Sequence, residues 1–322
     1  MAMSTIRPKL LLSIVTTGLL AGLVWFEIPG NTFLSRSINN AMHFPFFGLL
    51  SLLILGLVSL FFGNVNRSRQ YFLAFGLVMA VGVLHEYSQI NGPRDADLWD
   101  LARDAAGAVT FLGLYMVHDK KIDISRGRRR GRIRLVFYAG ALIMTLTILA
   151  PSAFWSAAYL YRDRSFPTIC DFESVRGYRF LKTRDAVLDK AVAPFAEEGK
   201  AENRAGKLKF EVAEYPGLAI EEPYPDWSGY MSFEFIVFSE MDSPVKIGVR
   251  IEDFYHNNEY NDRYNGVFKV EPGMNIISIP IDRIKNGPST RKMDMKNIRA
   301  IHLFMYRPDK ELVLYFDNFR LV

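Results

Sequence analysis

Apolar residues run almost unbroken through five stretches of the first half, 10–26, 44–62, 71–84, 105–117 and 135–159, and after residue 159 the pattern changes to alternation. A helix needs about 20 apolar residues to cross a bilayer. The third and fourth runs are shorter, so they complete a crossing only with their polar flanks. In 230–238 the apolar Met231, Phe233, Phe235 and Val237 alternate with Ser232 and Glu234, and 245–252 repeats the pattern with Val245, Ile247, Val249 and Ile251. Period-two alternation predicts half-buried strands. Further strands are expected at 207–212, 264–270, 275–280, 299–306 and 312–321, broken by Pro-Gly and Asn-Gly turns, with a short helix or loop insertion at 183–200. The expected fold is α + β in two domains: a five-helix transmembrane domain over 1–160, a linker at 161–167 and an antiparallel β-sandwich over 168–322.

Charge refines this picture. Of 39 Lys and Arg, 15 lie in 1–159 beside 8 acids, leaving 24 against 26 acids in 160–322. The formal surplus of +5 therefore belongs to loops of the helical half, a distribution that argues against nucleic acid as a partner. Arg7 and Lys9, then Arg67 and Arg69, then the cluster from Lys120 to Arg134 fall in alternate loops. The positive-inside rule makes those loops cytoplasmic. A retained first helix, with no small-residue cleavage site after it, then gives a cytoplasmic N-terminus and an extracytoplasmic sandwich. Integral residence in a bacterial cytoplasmic membrane, with the lipid bilayer as partner, is the expected location. Cys170 is the single cysteine, which excludes an internal disulfide and any thiol-rich metal motif.

The stretch 83–107 interrupts the apolar pattern with ionisable groups, which in a membrane normally face a bundle interior or a water-filled cavity. Glu86 and Gln89 share one helix face, and Asp97, Asp100 and Asp104 share another, with a turn at Asn91-Gly92-Pro93 between them. His43 is expected to open the second helix at the same outer-leaflet level, where Arg94 and Arg103 offset part of the acid. Three roles fit these residues: a polar network that packs helices, with Gly107 allowing close approach; a site for a lipid-linked or cell-wall species, with Glu86 or Asp100 as general base and His43 as its partner; or a divalent-metal site from His43, Glu86 and Asp104. His85 is an alternative to His43 in each. His43-Phe44, then Glu86-x-x-Gln89, then Arg94-x-x-Asp97-x-x-Asp100-x-x-x-Asp104-x-x-Gly107 resembles the VanZ-like family over about residues 35–120. That resemblance implies a small multi-helix membrane protein of the cell envelope and assigns no reaction.

In the second half, Asp171-Phe172-Glu173, Trp227-Ser228-Gly229-Tyr230, Val249-Arg250-Ile251-Glu252-Asp253, Pro272-Gly273-Met274-Asn275 and the closing run from Tyr315 to Leu321 resemble a jelly-roll carbohydrate-binding module of the galactose-binding-like type. Sugar binding requires exposed aromatic faces beside polar groups. The segment 254–264 supplies both, so Tyr255, Asn258, Tyr260, Arg263 and Tyr264 are the expected ligand residues, with Trp227 as an alternative face. Asp171, Glu173 and Asp317 could meet where the first and last strands pair and hold a structural Ca²⁺, or else cap turns. GxSxG, Walker A, HExxH and dinucleotide motifs are absent from the sequence, so nothing in the second half points to a soluble enzyme of a known class, and whether the protein catalyses a reaction stays open. Two functions remain open. One is binding or handling of envelope polysaccharide, peptidoglycan or a lipid-linked precursor. The other is a structural protein whose sandwich docks a protein partner.

Overall fold

Thr32 starts the first long helix: its side chain accepts the Ser35 N–H while Ser35 Oγ accepts the Thr32 N–H, a reciprocal cap. The helix α1 spans Phe33–Phe61, followed by α2 (Arg67–Gln89), α3 (Leu98–Met116) and α4 (Arg128–Ser165). The computed structural model describes residues 10–18, 22, 28–89, 97–122, 128–195 and 203–322, with residues 10–18 also helical. Arg7, Lys9, the Asn91-Gly92-Pro93 turn, Arg94 and Arg126 lie outside the described residues. The chain divides into two compact units, Met1–Ser156 and Ala157–Val322.

Among the described residues three helices, not five, are long and apolar enough to cross a membrane: those over Phe33–Phe61, Arg67–Ser88 and Arg129–Ser165. The α3 helix differs because Asp100, Arg103 and Asp104 occupy its opening turns. The α1 helix begins eleven residues before the apolar run that announced it, since its first turns are polar and are held by the cap. His43 therefore sits within α1 rather than at its start, about 15 Å along the axis from Phe33 at 1.5 Å per residue.

Helices α1 and α3 meet backbone to backbone. A Cβ on Gly107 would lie 2.1 Å from the Phe44 carbonyl oxygen, so only glycine permits this approach. Asp100, Asp104 and Gly107 follow at four- and three-residue steps and form one stripe on α3. The stripe that brings the helices together thus also delivers two carboxylates to the residues around Phe44, among them His43. Below it Phe47, Leu50, Ile54, Ala74, Val78, Ala108 and Leu112 make an apolar core. Beyond α3, Asp119 accepts hydrogen bonds from Arg67 Nε at 2.6 Å and Tyr71 Oη at 2.9 Å, tying the start of α2 to the segment after α3.

The second unit is an antiparallel β-sandwich. Its strands are β1 (Thr168–Cys170), β2 (Leu181–Arg184), β3 (Ala186–Val192), β4 (Arg204–Phe210), β5 (Gly217–Glu221), β6 (Ser232–Ser239), β7 (Val245–Asp253), β8 (Tyr264–Val270), β9 (Gly273–Pro280), β10 (Ile298–Phe304) and β11 (Leu312–Leu321). One sheet has the order β3-β4-β11-β6-β9, with β1 also paired to β11, and the other β2-β5-β10-β7-β8. Strands β4, β5, β6 and β7 alternate between sheets, so each connection crosses the core. A short helix, α5 (Ile281–Lys285), follows β9. Phe233, Phe235, Phe316 and Phe319 fill the interior, with Phe235 and Phe319 stacked at 4.9 Å.

Two sequence expectations are corrected here. Residues 183–200 do not hold a helix where they are described; β2 and β3 run through 181–192, and their half-exposed edge positions gave weak alternation. Residues 161–167 are not a polar linker, because α4 continues to Ser165. Its last turns lie on the sandwich: Arg162 stacks 4.6 Å over Tyr159 and donates to the Glu222 carbonyl oxygen at 3.1 Å, and Tyr159 Oη donates to the Glu222 carboxylate.

Candidate functional site

At one edge of the sandwich, Tyr260, Asn261, Arg263, Tyr264 and Asn265 face Asp282, Arg283, Asn286, Gly287 and Ser289 across an open cleft of about 560 Å³. That volume is in the range of small-ligand pockets, about 300–1,000 Å³. The Tyr260 side chain is 65% exposed, and the Arg263 guanidinium lies 5.3 Å from its ring centre. Asn265 holds the pair: its Oδ1 accepts from Arg263 Nε at 3.0 Å and its Nδ2 donates to the Tyr260 carbonyl at 2.9 Å. The cleft therefore offers an aromatic surface beside amide, carboxylate and guanidinium groups.

What fixes the loop is a buried charge network. Arg291 donates to both carboxylate oxygens of Asp253, at 2.5 and 2.7 Å, and to Asp262 through Nε at 2.5 Å. Asp253 is fully buried at the end of β7 and Asp262 nearly so at the end of the loop, so one guanidinium staples the loop's two ends. Asp262 Oδ2 also accepts the Asn257 N–H at 2.9 Å, and His256 Nδ1 bonds the Asp262 carbonyl at 3.0 Å.

The register extends polar chemistry away from the cleft. His302 on β10 stands opposite Arg250 on β7, which stands opposite Asn265 on β8, while Ile301, Ile251 and Tyr264 on the same strands are buried. Arg250 Nε donates to Glu252 at 2.9 Å. Burial alone would raise the Glu252 carboxyl; His302, whose Nε2 is 3.8 Å away, and Arg250 outweigh it and bring it down to about 2. Tyr215 and Tyr306, 5.3 Å apart, are exposed near the end of β10.

Of the ligand residues expected from sequence, Tyr260, Arg263 and Tyr264 line the cleft. Tyr255 is exposed outside it, edge-on to Phe254, and Asn258 forms a left-handed turn at φ 71°. Trp227 is corrected: it is completely buried against Phe233, with Nε1 donating to the Tyr224 carbonyl at 2.9 Å, so it presents no face to a ligand. Sequence reasoning missed Asp282, Arg283, Asn286 and Arg291, which lie some 20–30 residues downstream of the loop and carried no local signal. It also missed His302 and Tyr215, visible only once strand register is known.

The acidic trio caps local backbone. Asp171 accepts the Glu173 N–H at 3.1 Å, Glu173 the Arg204 N–H at 2.6 Å, and Asp317 both Asn203 Nδ2 at 2.9 Å and the Asn318 N–H at 2.7 Å. Burial raises the Asp317 carboxyl to about 6, the nearby Asp171 and Glu173 adding to the effect and the two hydrogen bonds opposing it.

In the helical unit the expected polar cluster does gather. His43 Nδ1 is 2.8 Å from Asp104 Oδ1, and His43 Nε2 is 3.8 Å from Asp100 Oδ2. Arg103 binds Asp100 Oδ1, and Glu86 Oε2 accepts the Asp97 N–H at 3.0 Å. Asp97 caps α3, its carboxylate accepting the Trp99 N–H at 2.9 Å. Gln89 closes α2, and its side chain lies outside the described residues.

No family model matches this chain, and no curated protein matches it, so the VanZ-like resemblance rests on its motif residues. The solved structures that the chain matches include carbohydrate-binding modules and agarases. The family 11 carbohydrate-binding module from Clostridium thermocellum, in complex with a β-1,3-1,4-mixed-linked tetrasaccharide, is 20% identical, with 48% of this chain and 94% of that chain covered and a TM-score of 0.37. An exo-β-agarase is 18% identical, covering 48% of this chain and 24% of its own, at 0.38. The CBM22-1 xylan-binding domain from Paenibacillus barcinonensis Xyn10C is 14% identical, covering 48% and 92%, at 0.33.

Proposed function

We propose that this chain is an integral membrane protein of the cell envelope whose β-sandwich binds polysaccharide or peptidoglycan on the outer side of the cytoplasmic membrane. The observation that carries the reading is the cleft at Tyr260. An exposed phenol ring suits the C–H face of a pyranose, and Asn261, Asn265, Asp282 and Asn286 around it suit the hydroxyl rim. The Arg291 staple holds the loop in place before a ligand arrives, which reduces the ordering cost of binding. Three helices of membrane-crossing length support the anchoring, and the basic residues in alternate loops support the orientation.

The cluster around His43 favours a role inside the protein over handling of a lipid-linked sugar. His43, Asp100 and Asp104 are each buried, and their polar contacts are with one another and with Arg103. The full-length protein in detergent, applied to a glycan array of envelope polysaccharide and muropeptide fragments, is expected to retain a defined set of oligosaccharides. Tyr260→Ala should release that set. A wild-type protein that retains nothing would sink the reading.

A further inference from the structure

The His43 cluster is arranged so that each of three side chains has one polar atom tied down and another left over. His43 is held through Nδ1 by Asp104 at 2.8 Å, leaving Nε2. Asp100 is held through Oδ1 by Arg103, leaving Oδ2, which faces His43 Nε2 at 3.8 Å. Glu86 is held through Oε2 by the Asp97 N–H at 3.0 Å, leaving Oε1, which is shielded from solvent and has no hydrogen-bond partner among the described residues. Asp104, fully buried, likewise keeps Oδ2 without a partner among them. One ligand atom from each of His43, Glu86 and Asp100 lies within 4.8 Å of the other two.

Buried carboxylate oxygens without partners are costly, because the group has given up its water and gained nothing in return, and more so when it is charged. Two carboxylate oxygens and an imidazole nitrogen converging from three helices form a donor set that a divalent first-row ion satisfies. Ligands about 2.0–2.2 Å from one ion stand about 3–4 Å apart, the separation seen between Nε2 and Oδ2. The Asp104–His43 contact is the outer-shell pairing that orients a metal-ligating imidazole. His85, its ring centre 6.0 Å from that of His43 and its Nδ1 3.8 Å from Glu86 Oε1, stands beside the site.

We propose that His43, Glu86 and Asp100 bind a divalent transition-metal ion such as Zn²⁺ or Mn²⁺, with Asp104 as a positioning residue, and that the ion pins α1, α2 and α3 together. The inference is independent of glycan binding. To test it, the full-length protein is purified in detergent, stripped with a chelator and titrated with Co²⁺, whose ligand-field absorption reports nitrogen and oxygen coordination. The wild type is expected to bind one equivalent, displaced by Zn²⁺. Glu86→Gln and Asp100→Asn, each checked for native elution and helix content, should lose that equivalent. Asp104→Asn should weaken it by about 10–100-fold while keeping the absorption band. Asp317→Asn, in the sandwich, should leave it intact. The proposal is overturned if the wild type binds no Co²⁺, if folded Glu86→Gln and Asp100→Asn bind it as tightly as the wild type, or if the equivalent is lost in Asp317→Asn instead.

Discussion

Replacing Arg291 by Ala removes the group that joins the two ends of the 254–263 loop. In the wild type, Asp253 has its two oxygens held by Arg291 at 2.5 and 2.7 Å and by the Asp294 N–H at 2.7 Å. The variant leaves Asp253 fully buried with the Asp294 N–H alone among these donors, and Asp262 with the Asn257 N–H and His256. Deleting one partner of a buried pair costs about 3–5 kcal/mol. The Arg291 side chain is 27% exposed, so the low end applies, about 3 kcal/mol. At about 1.4 kcal/mol per tenfold, the loop's opening equilibrium rises by roughly 100-fold. Hydrogen exchange followed by mass spectrometry on the full-length protein reads this directly, because the Phe254, His256, Asn257 and Asp262 amides are all hydrogen-bonded. Their protection should fall by about two orders of magnitude while amides of β11 stay unchanged. Arg291→Lys should rescue little, since an ammonium cannot reproduce the bidentate grip. A change below about threefold in the Ala variant would refute the staple.

Two further perturbations follow from the same geometry. Gly107→Ala places a methyl group 2.1 Å from the Phe44 carbonyl, so α1 and α3 must separate; the expected loss is at least about 1–3 kcal/mol, read as a lower thermal midpoint in detergent, and an unchanged midpoint contradicts the contact. Asp317, with its folded carboxyl raised to about 6, favours the protonated folded state, so its contribution is present at low pH and lost as pH rises from about 4 through 6. The loss is on the order of 3 kcal/mol, and Asp317→Asn should remove that part of the pH dependence of β11 exchange. If Asp171, Glu173 and Asp317 instead hold Ca²⁺, adding Ca²⁺ at neutral pH will protect β11 in the wild type and not in the variant.

The sandwich was legible wherever a strand has one wet and one dry face. The 264–270 and 312–321 runs coincide with β8 and β11, and 245–252 with all but the last residue of β7. Strands β2 and β3 escaped because Lys182, Thr183 and Arg184 are exposed in succession and most of β3 is exposed or half-exposed. Hydropathy also misjudged the helices at their polar ends: Ser35 and Asn39 hold the start of α1 yet read as loop, which put His43 at the wrong point of its helix. The polar cluster was still found, since its members recur at helical spacing. In the cleft, the Tyr260 side was visible as an aromatic and amide-rich loop. The opposite wall around Arg283 and Asn286, and the Arg291 staple beneath, depend on tertiary contacts that no local pattern encodes.

The claim that matters most is that the Tyr260 cleft holds a sugar. Calorimetric titration of the full-length protein in detergent, with the oligosaccharide retained in the array, tests it against Tyr260→Ala and Tyr255→Ala side by side. Loss of the Tyr260 ring should weaken binding about tenfold, equivalent to about 1.4 kcal/mol of stacking, while Tyr255→Ala, outside the cleft, leaves it unchanged. Equal affinities for wild type and Tyr260→Ala would contradict the account.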